Sequence, residues 1–241
     1  MSTVGNGTSG RLACSVIIPC WNDGTALRVT LAGLAALRGV DEVVVADASE
    51  SDECQSLATA NGAKIVRCAA PNRGAQLNAG ARLASGDIFL FNHADTCLTQ
   101  EHLDALHAAT KEHPHMAGGA FHRKFDERHL RVTYLEKVAR FLAKRGGTLY
   151  GDQSIFVRRE VFERLGGFAE IPLMEDIEFS GRLQRTARMV VLDPPIGTSP
   201  RHHARRGAIR TSIRNGLMIA LYRLGFPPEK LHAWYYRKPV Y

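Results

Sequence analysis

Four strand-like runs, at residues 15–18, 42–46, 64–68 and 88–91, recur through the first half of the chain, and the gaps carry helical patterns at 25–37, 52–61 and 75–84. Strand and helix in strict alternation leave few folds open. The strands must be parallel and joined by right-handed crossovers, which gives a doubly wound α/β sheet with helices on both faces. The fourth run, Ile88-Phe89-Leu90-Phe91, is continuously apolar, as a strand covered on both faces must be. Sheets of this kind hold ligands outside the carboxyl ends of their strands. The residues that follow each run are therefore the first place to look for chemistry.

The second half is less regular. Residues 118–125 read as a strand, and 130–144 as a helix with Tyr134, Leu135, Val138 and Leu142 on one face. A short strand at 154–157 precedes a helix at 159–165 that stops at Gly166-Gly167. A helix at 175–186, a strand at 188–192 and a basic amphipathic helix at 209–224 follow, the last closed by Gly225 and Pro227-Pro228. No stretch has the length of a linker. Residues 12–241 are expected to form one domain behind a disordered lead-in at 1–11.

Composition narrows the function classes. The chain has 241 residues and 45% hydrophobic content, as ordinary globular proteins do. No apolar run reaches the ~18 residues of a membrane-spanning helix. The start lacks the apolar core of a signal peptide, so a cytoplasmic protein is expected. The five cysteines, Cys14, Cys20, Cys54, Cys68 and Cys97, are odd in number and none are spaced CxxC. They read as reduced thiols, not as a disulfide framework or a zinc site. The net charge of +7 is unevenly spread. Arg201, Arg205, Arg206, Arg210 and Arg214 lie with His202 and His203 in a stretch without acids, which suits a polyanion such as pyrophosphate or anionic lipid.

Polar residues cluster where the strands end. After the first strand come Pro19, Asn22 and Asp23, where Asn22 and Asp23 either cap the next helix or face a ligand. Asp47 closes the second strand, placed to accept from a base or a ribose hydroxyl. Arg73-Gly74 to Asn78-Ala79-Gly80 opens a helix at the same sheet edge. His93 and Asp95 follow the fourth strand, where a carboxylate suits a divalent cation that also holds phosphate oxygens. Further on, Asp152 and Gln153 follow Tyr150-Gly151, and Glu175-Asp176 opens a helix where a carboxylate could take a hydroxyl proton. Neither a GxGxxG nor a GxxxxGK[ST] motif is present.

In this order and spacing the motifs resemble family 2 glycosyltransferases with the GT-A fold. The resemblance is carried by Val16 to Asp23, Val43 to Asp47, Arg73 to Gly80, Gly86 to Asp95 and Glu175-Asp176. It is most similar to the radical-SAM/selenodomain-associated transferase 2 subfamily, through His93-Ala94-Asp95-Thr96, Gly151-Asp152-Gln153, Pro172 to Asp176 and Leu221 to Pro228. The resemblance implies a Rossmann-like nucleotide-diphospho-sugar transferase fold with a mainly parallel central sheet. It divides the domain into a nucleotide-binding half at 12–97, an acceptor and catalytic half at 98–200, and a basic loop with C-terminal helices at 201–241.

The implied activity is metal-dependent, inverting transfer of a sugar from a nucleotide diphosphate, UDP-linked, to an unidentified hydroxyl. Asp47 would accept from the base, Arg73 would lie against it, and Pro19, Asn22, Asp23 and Asn78 would complete the nucleotide site. Asp152 and Gln153 would line the donor sugar, and Arg201, Arg205 or Arg206 would clamp the pyrophosphate. Asp95 would hold Mn²⁺ or Mg²⁺. His93 stands where relatives carry the first Asp of a DxD motif, and either ligates the metal in its place or packs behind it. Asp176 would be the base, with Glu175 orienting it or the acceptor. The basic run lacks the Trp that the subfamily usually carries there.

Two other readings stand beside this one. Nucleotidyl transfer to a sugar phosphate or cofactor would need a glycine-rich basic loop after the first strand, and Pro19 to Gly24 has one Gly and no Lys or Arg. A basic binding module for RNA or membrane rests on the 201–214 patch. No RNA- or DNA-binding signature accompanies that patch, so no nucleic acid is expected. The helix at 209–224 alternates apolar residues with Arg210, Arg214 and Arg223, as a peripheral helix at the inner membrane face or a core-packing helix would.

Overall fold

The computed structural model describes residues 11–123, 148–186, 188–197 and 208–236. The helix expected at 130–144, most of the lead-in and the run 201–207 lie outside them. The first half alternates as its pattern requires: β1 (Cys14–Cys20), α1 (Gly24–Ala35), β2 (Glu42–Asp47), α2 (Glu53–Ala60), β3 (Lys64–Arg67), α3 (Arg73–Leu83), β4 (Ile88–Phe91) and α4 (Gln100–Glu112). Then come β5 (Gly118–Arg123), a single 3-10 turn at Gly151–Gln153, β6 (Phe156–Arg158), α5 (Arg159–Leu165), α6 (Glu175–Thr186), β7 (Met189–Ile196), α7 (Ala208–Arg223) and α8 (Pro228–Tyr235).

The seven strands form one sheet in the order β3-β2-β1-β4-β6-β5-β7. Strands β1 to β4 are mutually parallel, β6 runs antiparallel between β4 and β5, and β5 pairs parallel with β7. Strand order reverses between β1 and β4, and that switch point opens a crevice at their carboxyl ends.

Period-two alternation sends each strand's side chains to two cores. Val16 and Ile18 of β1 and Ile88 and Leu90 of β4 pack with α1, α2 and α4. Ile17, Phe89 and Phe91 pack on the other face with α3, α5 and α6. There Phe91, Phe162, Phe168 and Phe179 stack edge and face, with Phe168 and Phe179 4.4 Å apart at their centroids. Each buried ring is worth about 1.5–3 kcal/mol, against less than about 1 kcal/mol for an exposed ion pair such as Arg67–Asp52. Packing of the sheet decides stability. Helix α3 rides close on it: a Cβ on Gly80 would stand 2.5 Å from Ile17 Cγ2.

Several details depart from the sequence reading. Arg11, assigned to the lead-in, is pinned by Asp41 at 2.5 Å. The cap of α4 is Thr99, with His102 Nδ1 accepting from its N–H at 3.0 Å. Strand β7 runs on past 192 through Pro194-Pro195, as a prolyl strand can at a sheet edge. Pro227-Pro228 opens a further helix, with Pro228 at its first position, where a missing N–H costs nothing. Helix α7 buries Met218, and with Leu231 of α8 it packs on Met174 and Ile177 at the start of α6. The C-terminal helices thus brace the start of α6. Among the described residues, no helix is long and apolar enough to cross a membrane.

Candidate active site

The ends of β1 and β2 are stitched together. Gln76 of α3 donates from Nε2 to the carbonyls of Cys20 at 2.8 Å and Ala46 at 2.9 Å. Asn22 sits at φ 50; its N–H donates to Ser49 Oγ at 2.8 Å and its Oδ1 accepts from Glu50 N at 3.1 Å. Asp23 accepts from Ala26 N at 3.2 Å and caps α1. Pro19 lies one residue inside β1, opposite Ala46. Asp47 is fully buried. Its Oδ1 accepts from Ser49 N at 2.9 Å, while its Oδ2 has no partner among the described residues. A buried carboxylate oxygen without a donor is costly, and an incoming N–H or cation relieves that cost.

Asn92, fully buried, organises the loop after β4. It donates to the carbonyls of His93 at 3.0 Å and Thr96 at 2.9 Å, and accepts from Ser154 Oγ at 2.7 Å. Thr30 Oγ1 donates to Ala94 O at 2.6 Å. The backbone that carries His93 and Asp95 is therefore fixed from three sides. Asp95 is half-buried, and its carboxylate has no hydrogen bond or ion pair among the described residues.

The tightest cluster joins four chain segments. Met174 takes φ 74, unusual for a bulky side chain, and turns the chain into α6, whose first turn holds Glu175, Asp176 and Glu178. Arg73, the first residue of α3, pairs through Nε with Glu175. Its Nη2 lies 3.4 Å from Asp176 Oδ2 and its Nη1 3.3 Å from His93 Nε2. Asp176 Oδ2 accepts from Gly151 N at 2.7 Å and Oδ1 from Ile177 N at 2.8 Å. Gln153 clips the Gly151 turn to β5, accepting from Tyr150 N at 2.9 Å and donating to Phe121 O at 3.2 Å. The half-buried Asp152 sits on the same turn.

The electrostatics follow from burial beside a cation. Burial and the Arg73 charge push His93 down to about 3, so the imidazole is neutral and Nε2 accepts from Arg73. Burial, reinforced by Asp176, raises Glu175 against the pull of Arg73. Gly151 closes the cluster. A Cβ there would stand 3.0 Å from His93 Nε2 and 3.2 Å from Asp176 Oδ2. Gly151→Ala is expected to shift this turn and cut turnover by roughly tenfold or more, as small misplacements at reacting groups do. Steady-state kinetics with a circular-dichroism control checks this, and unchanged turnover would show that the turn tolerates the methyl.

Comparison with known proteins decides the family. The sequence profile described as "Glycosyl transferase family 2" matches residues 15–166, more than half of the chain. The chain belongs to glycosyl transferase family 2. Its fold is shared with Staphylococcus aureus TarS 1–349 in complex with UDP (TM-score 0.63, 22% identity, 78% of this chain and 61% of that one). It is shared with the mannosyltransferase PcManGT of Pyrobaculum calidifontis in complex with GDP-Man and Mn²⁺ (TM-score 0.65, 22% identity, 95% and 70%). It is shared too with glucosyl-3-phosphoglycerate synthase of Mycobacterium tuberculosis in complex with Mn²⁺, UDP and phosphoglyceric acid (TM-score 0.62, 23% identity, 91% and 80%). The chain spans less than two thirds of the TarS fragment. No curated protein sequence is significantly similar to it.

In this family 2 chain, the residues singled out from sequence take different tasks. Arg73, His93, Glu175 and Asp176 meet in one cluster beneath Gly151. Asn22, Asp23 and Asp47 gather at the ends of β1 and β2. Asn78 is spent on structure: its Nδ2 donates to Phe168 O at 2.9 Å and its Oδ1 accepts from Phe168 N at 2.8 Å. Arg73 is committed to the acids by its guanidinium, where the sequence had placed it against a base. Arg201 and Arg205 lie outside the described residues. Asn92 and Ser154 were missed. Their signal, an amide directly after a buried strand and a serine before the next, is too common to stand out.

Proposed function

We propose that the protein transfers a sugar from a nucleotide-diphosphate donor, UDP-linked, to an acceptor hydroxyl with inversion at the anomeric carbon. The observation that carries this reading is the convergence of Asp176, Glu175 and Arg73 on the loop holding His93 and Asp95, at the carboxyl end of β4. Support comes from neighbours of the same fold bound to UDP, UDP-GlcNAc or GDP-Man, two of them with Mn²⁺.

The residues fit a divalent cation at one position. Asp95 presents a carboxylate uncommitted to any described residue. His93 fits less well, because its Nε2 already accepts from a guanidinium. Asp95 is therefore the residue that would hold Mn²⁺ or Mg²⁺, which when bound supplies positive charge to the leaving diphosphate. The chain's own side chains do the rest. Asp176, held by two backbone N–H groups, takes the proton of the attacking hydroxyl. Glu175 holds Arg73 so that its cation faces Asp176 and His93. Asp47 offers its unpaired Oδ2 to an N–H of the base, and Asn22, beside it, shapes that end of the nucleotide site.

The reaction class can be read without knowing the acceptor. Slow donor hydrolysis should release nucleoside diphosphate and, in proton NMR, the inverted anomer first. Release of pyrophosphate from a nucleoside triphosphate offered with a sugar phosphate would assign nucleotidyl transfer instead, and the retained anomer from donor hydrolysis would overturn the single displacement.

The C-terminal pair carries a second, compatible role as a peripheral contact with the inner membrane face of a cytoplasmic protein. Leu217 is 54% exposed, Leu224 77% and Trp234 47%, and Phe226 stacks near Trp234 at 6.1 Å between centroids. Apolar rings beside Arg223 and Lys230 suit an anionic interface. The expected result is co-sedimentation with anionic vesicles at low salt that is lost in a Leu224→Glu, Trp234→Glu variant. Failure of the wild type to pellet would remove the membrane role and leave the transferase reading untouched.

A further inference from the structure

Cys20 ends β1, Asp47 ends β2 and Cys54 stands in the first turn of α2. Far apart in sequence, the three side chains meet, with one ligand atom of each within 4.8 Å of the others. We propose that Cys20, Asp47 and Cys54 form a binding site for a sulfur-seeking divalent cation of the Zn²⁺ class, separate from the hard cation at Asp95.

The geometry is close to what such an ion needs. The two sulfurs lie 3.3 Å apart. Around a tetrahedral zinc, with bonds of about 2.0–2.3 Å, neighbouring ligand atoms stand roughly 3.5–3.8 Å apart. Small rotations of the side chains close the difference. Two thiolates and a carboxylate favour Zn²⁺ over Mg²⁺ or Mn²⁺, which prefer oxygen alone.

The ligands are also held by rigid parts. Cys20 and Asp47 face each other in the β1–β2 register, and Gln76 ties the two strand ends together. The Cys20 carbonyl accepts from Ala48 N at 3.0 Å and that of Asp47 from Cys68 N at 2.7 Å. Ser49 places both remaining groups: its N–H holds Asp47 Oδ1, and its Oγ donates to Cys54 Sγ at 3.4 Å. Support of this kind around the ligands is what fixes a metal site.

Asp47 Oδ2 points independently to a missing partner. It belongs to a fully buried side chain and has no hydrogen bond among the described residues. Cys20 and Cys54 are almost fully buried as well, and the three side chains supply three of a tetrahedral ion's four ligands. Loading also balances in charge. One divalent ion enters, two thiol protons leave, and the net charge of the buried cluster is unchanged. If Asp47 receives the nucleobase, as proposed above, the ion would compete with donor; that consequence rests on the donor reading, and binding of the ion does not.

Cobalt reports such a site directly. Protein kept reduced with a phosphine is titrated with Co²⁺, and the thiolate-to-cobalt charge-transfer band and tetrahedral d–d bands are followed. One equivalent of Co²⁺ should bind and be displaced by Zn²⁺. Cys54→Ser and Cys20→Ser should each remove much of the charge-transfer band. Asp47→Asn should keep the band but weaken affinity by about tenfold or more, at least what loss of an outer-shell partner costs. Cys68→Ser and Cys97→Ser should change nothing. Circular dichroism shows which variants are folded, and Cys54→Ala serves if the serine variant is not. No charge-transfer band in the reduced wild type would overturn the site. So would a band that survives the loss of Cys54 or disappears with Cys97.

Discussion

Asp176→Asn is expected to lower kcat by roughly 10²- to 10⁴-fold, the contribution of a positioned proton acceptor. The substitution keeps shape but leaves one oxygen, so only one of the Gly151 N–H at 2.7 Å and the Ile177 N–H at 2.8 Å keeps its acceptor, and it removes a carboxylate 3.4 Å from Arg73 Nη2. Folding should survive at a cost of about 1 kcal/mol, that of one lost hydrogen bond. The loss should fall on kcat with KM for the donor nearly unchanged, because the proposed role of Asp176 is toward the acceptor hydroxyl and not the nucleotide. Glu175→Gln should behave differently. It breaks a buried pair and leaves Arg73 without its main neutralising partner, so stability should fall by about 2 kcal/mol after allowance for Arg73 being partly exposed. Steady-state kinetics beside urea unfolding separates the two. An Asp176→Asn enzyme at full activity would show that the proton goes elsewhere.

Acid should expose the cost of keeping His93 neutral. Its folded value lies near 3, pushed down by burial and by Arg73, against an ordinary value of 6.5. Between those values the unfolded chain binds a proton that the folded chain refuses. Stability therefore falls as pH drops from about 6.5 toward about 3. By about pH 4.5, two units below the ordinary value, the loss from this residue is about 2.7 kcal/mol. Glu175 acts in the opposite sense, since its raised folded value makes proton uptake favour the native state as pH falls. Comparison with His93→Gln isolates the imidazole. The variant should lose about 2–3 kcal/mol less than wild type between neutral pH and about pH 4.5 in urea unfolding. Equal losses would mean that His93 titrates normally and that Arg73 does not crowd it.

The strands and helices of the first half were legible because each carries its own signal. The unbroken apolar runs Val16-Ile17-Ile18 of β1 and Ile88 to Phe91 of β4 answer to faces that are both covered. Glu175-Asp176 was legible because paired acids at a helix start are unusual except where a dipole or a reaction uses them. What stayed hidden depends on meetings across the chain. Nothing local in Arg73 says that its guanidinium will find Glu175, 102 residues on, or His93, 20 residues on. Asn78 reads as a donor ligand until Phe168 is seen to use both ends of its amide. The nearness of two cysteines is hidden for the same reason. Cys20 and Cys54 are 34 residues apart, a spacing no short motif describes, yet adjacent strand ends and the first turn of α2 bring their sulfurs together. Proline, too, reads both ways: Pro227-Pro228 ends one helix and starts the next.

The most direct test of the donor site is a calorimetric titration of UDP into the wild type and Asp95→Ala, each with Mn²⁺, with Mg²⁺ and with chelator. Asp95 makes no hydrogen bond or ion pair to a described residue, so its removal should leave the fold intact and act on the metal alone. The account predicts UDP binding that needs a divalent cation and is lost in Asp95→Ala. Binding of equal strength in chelator and in Asp95→Ala, or none by the wild type with either cation, would contradict it.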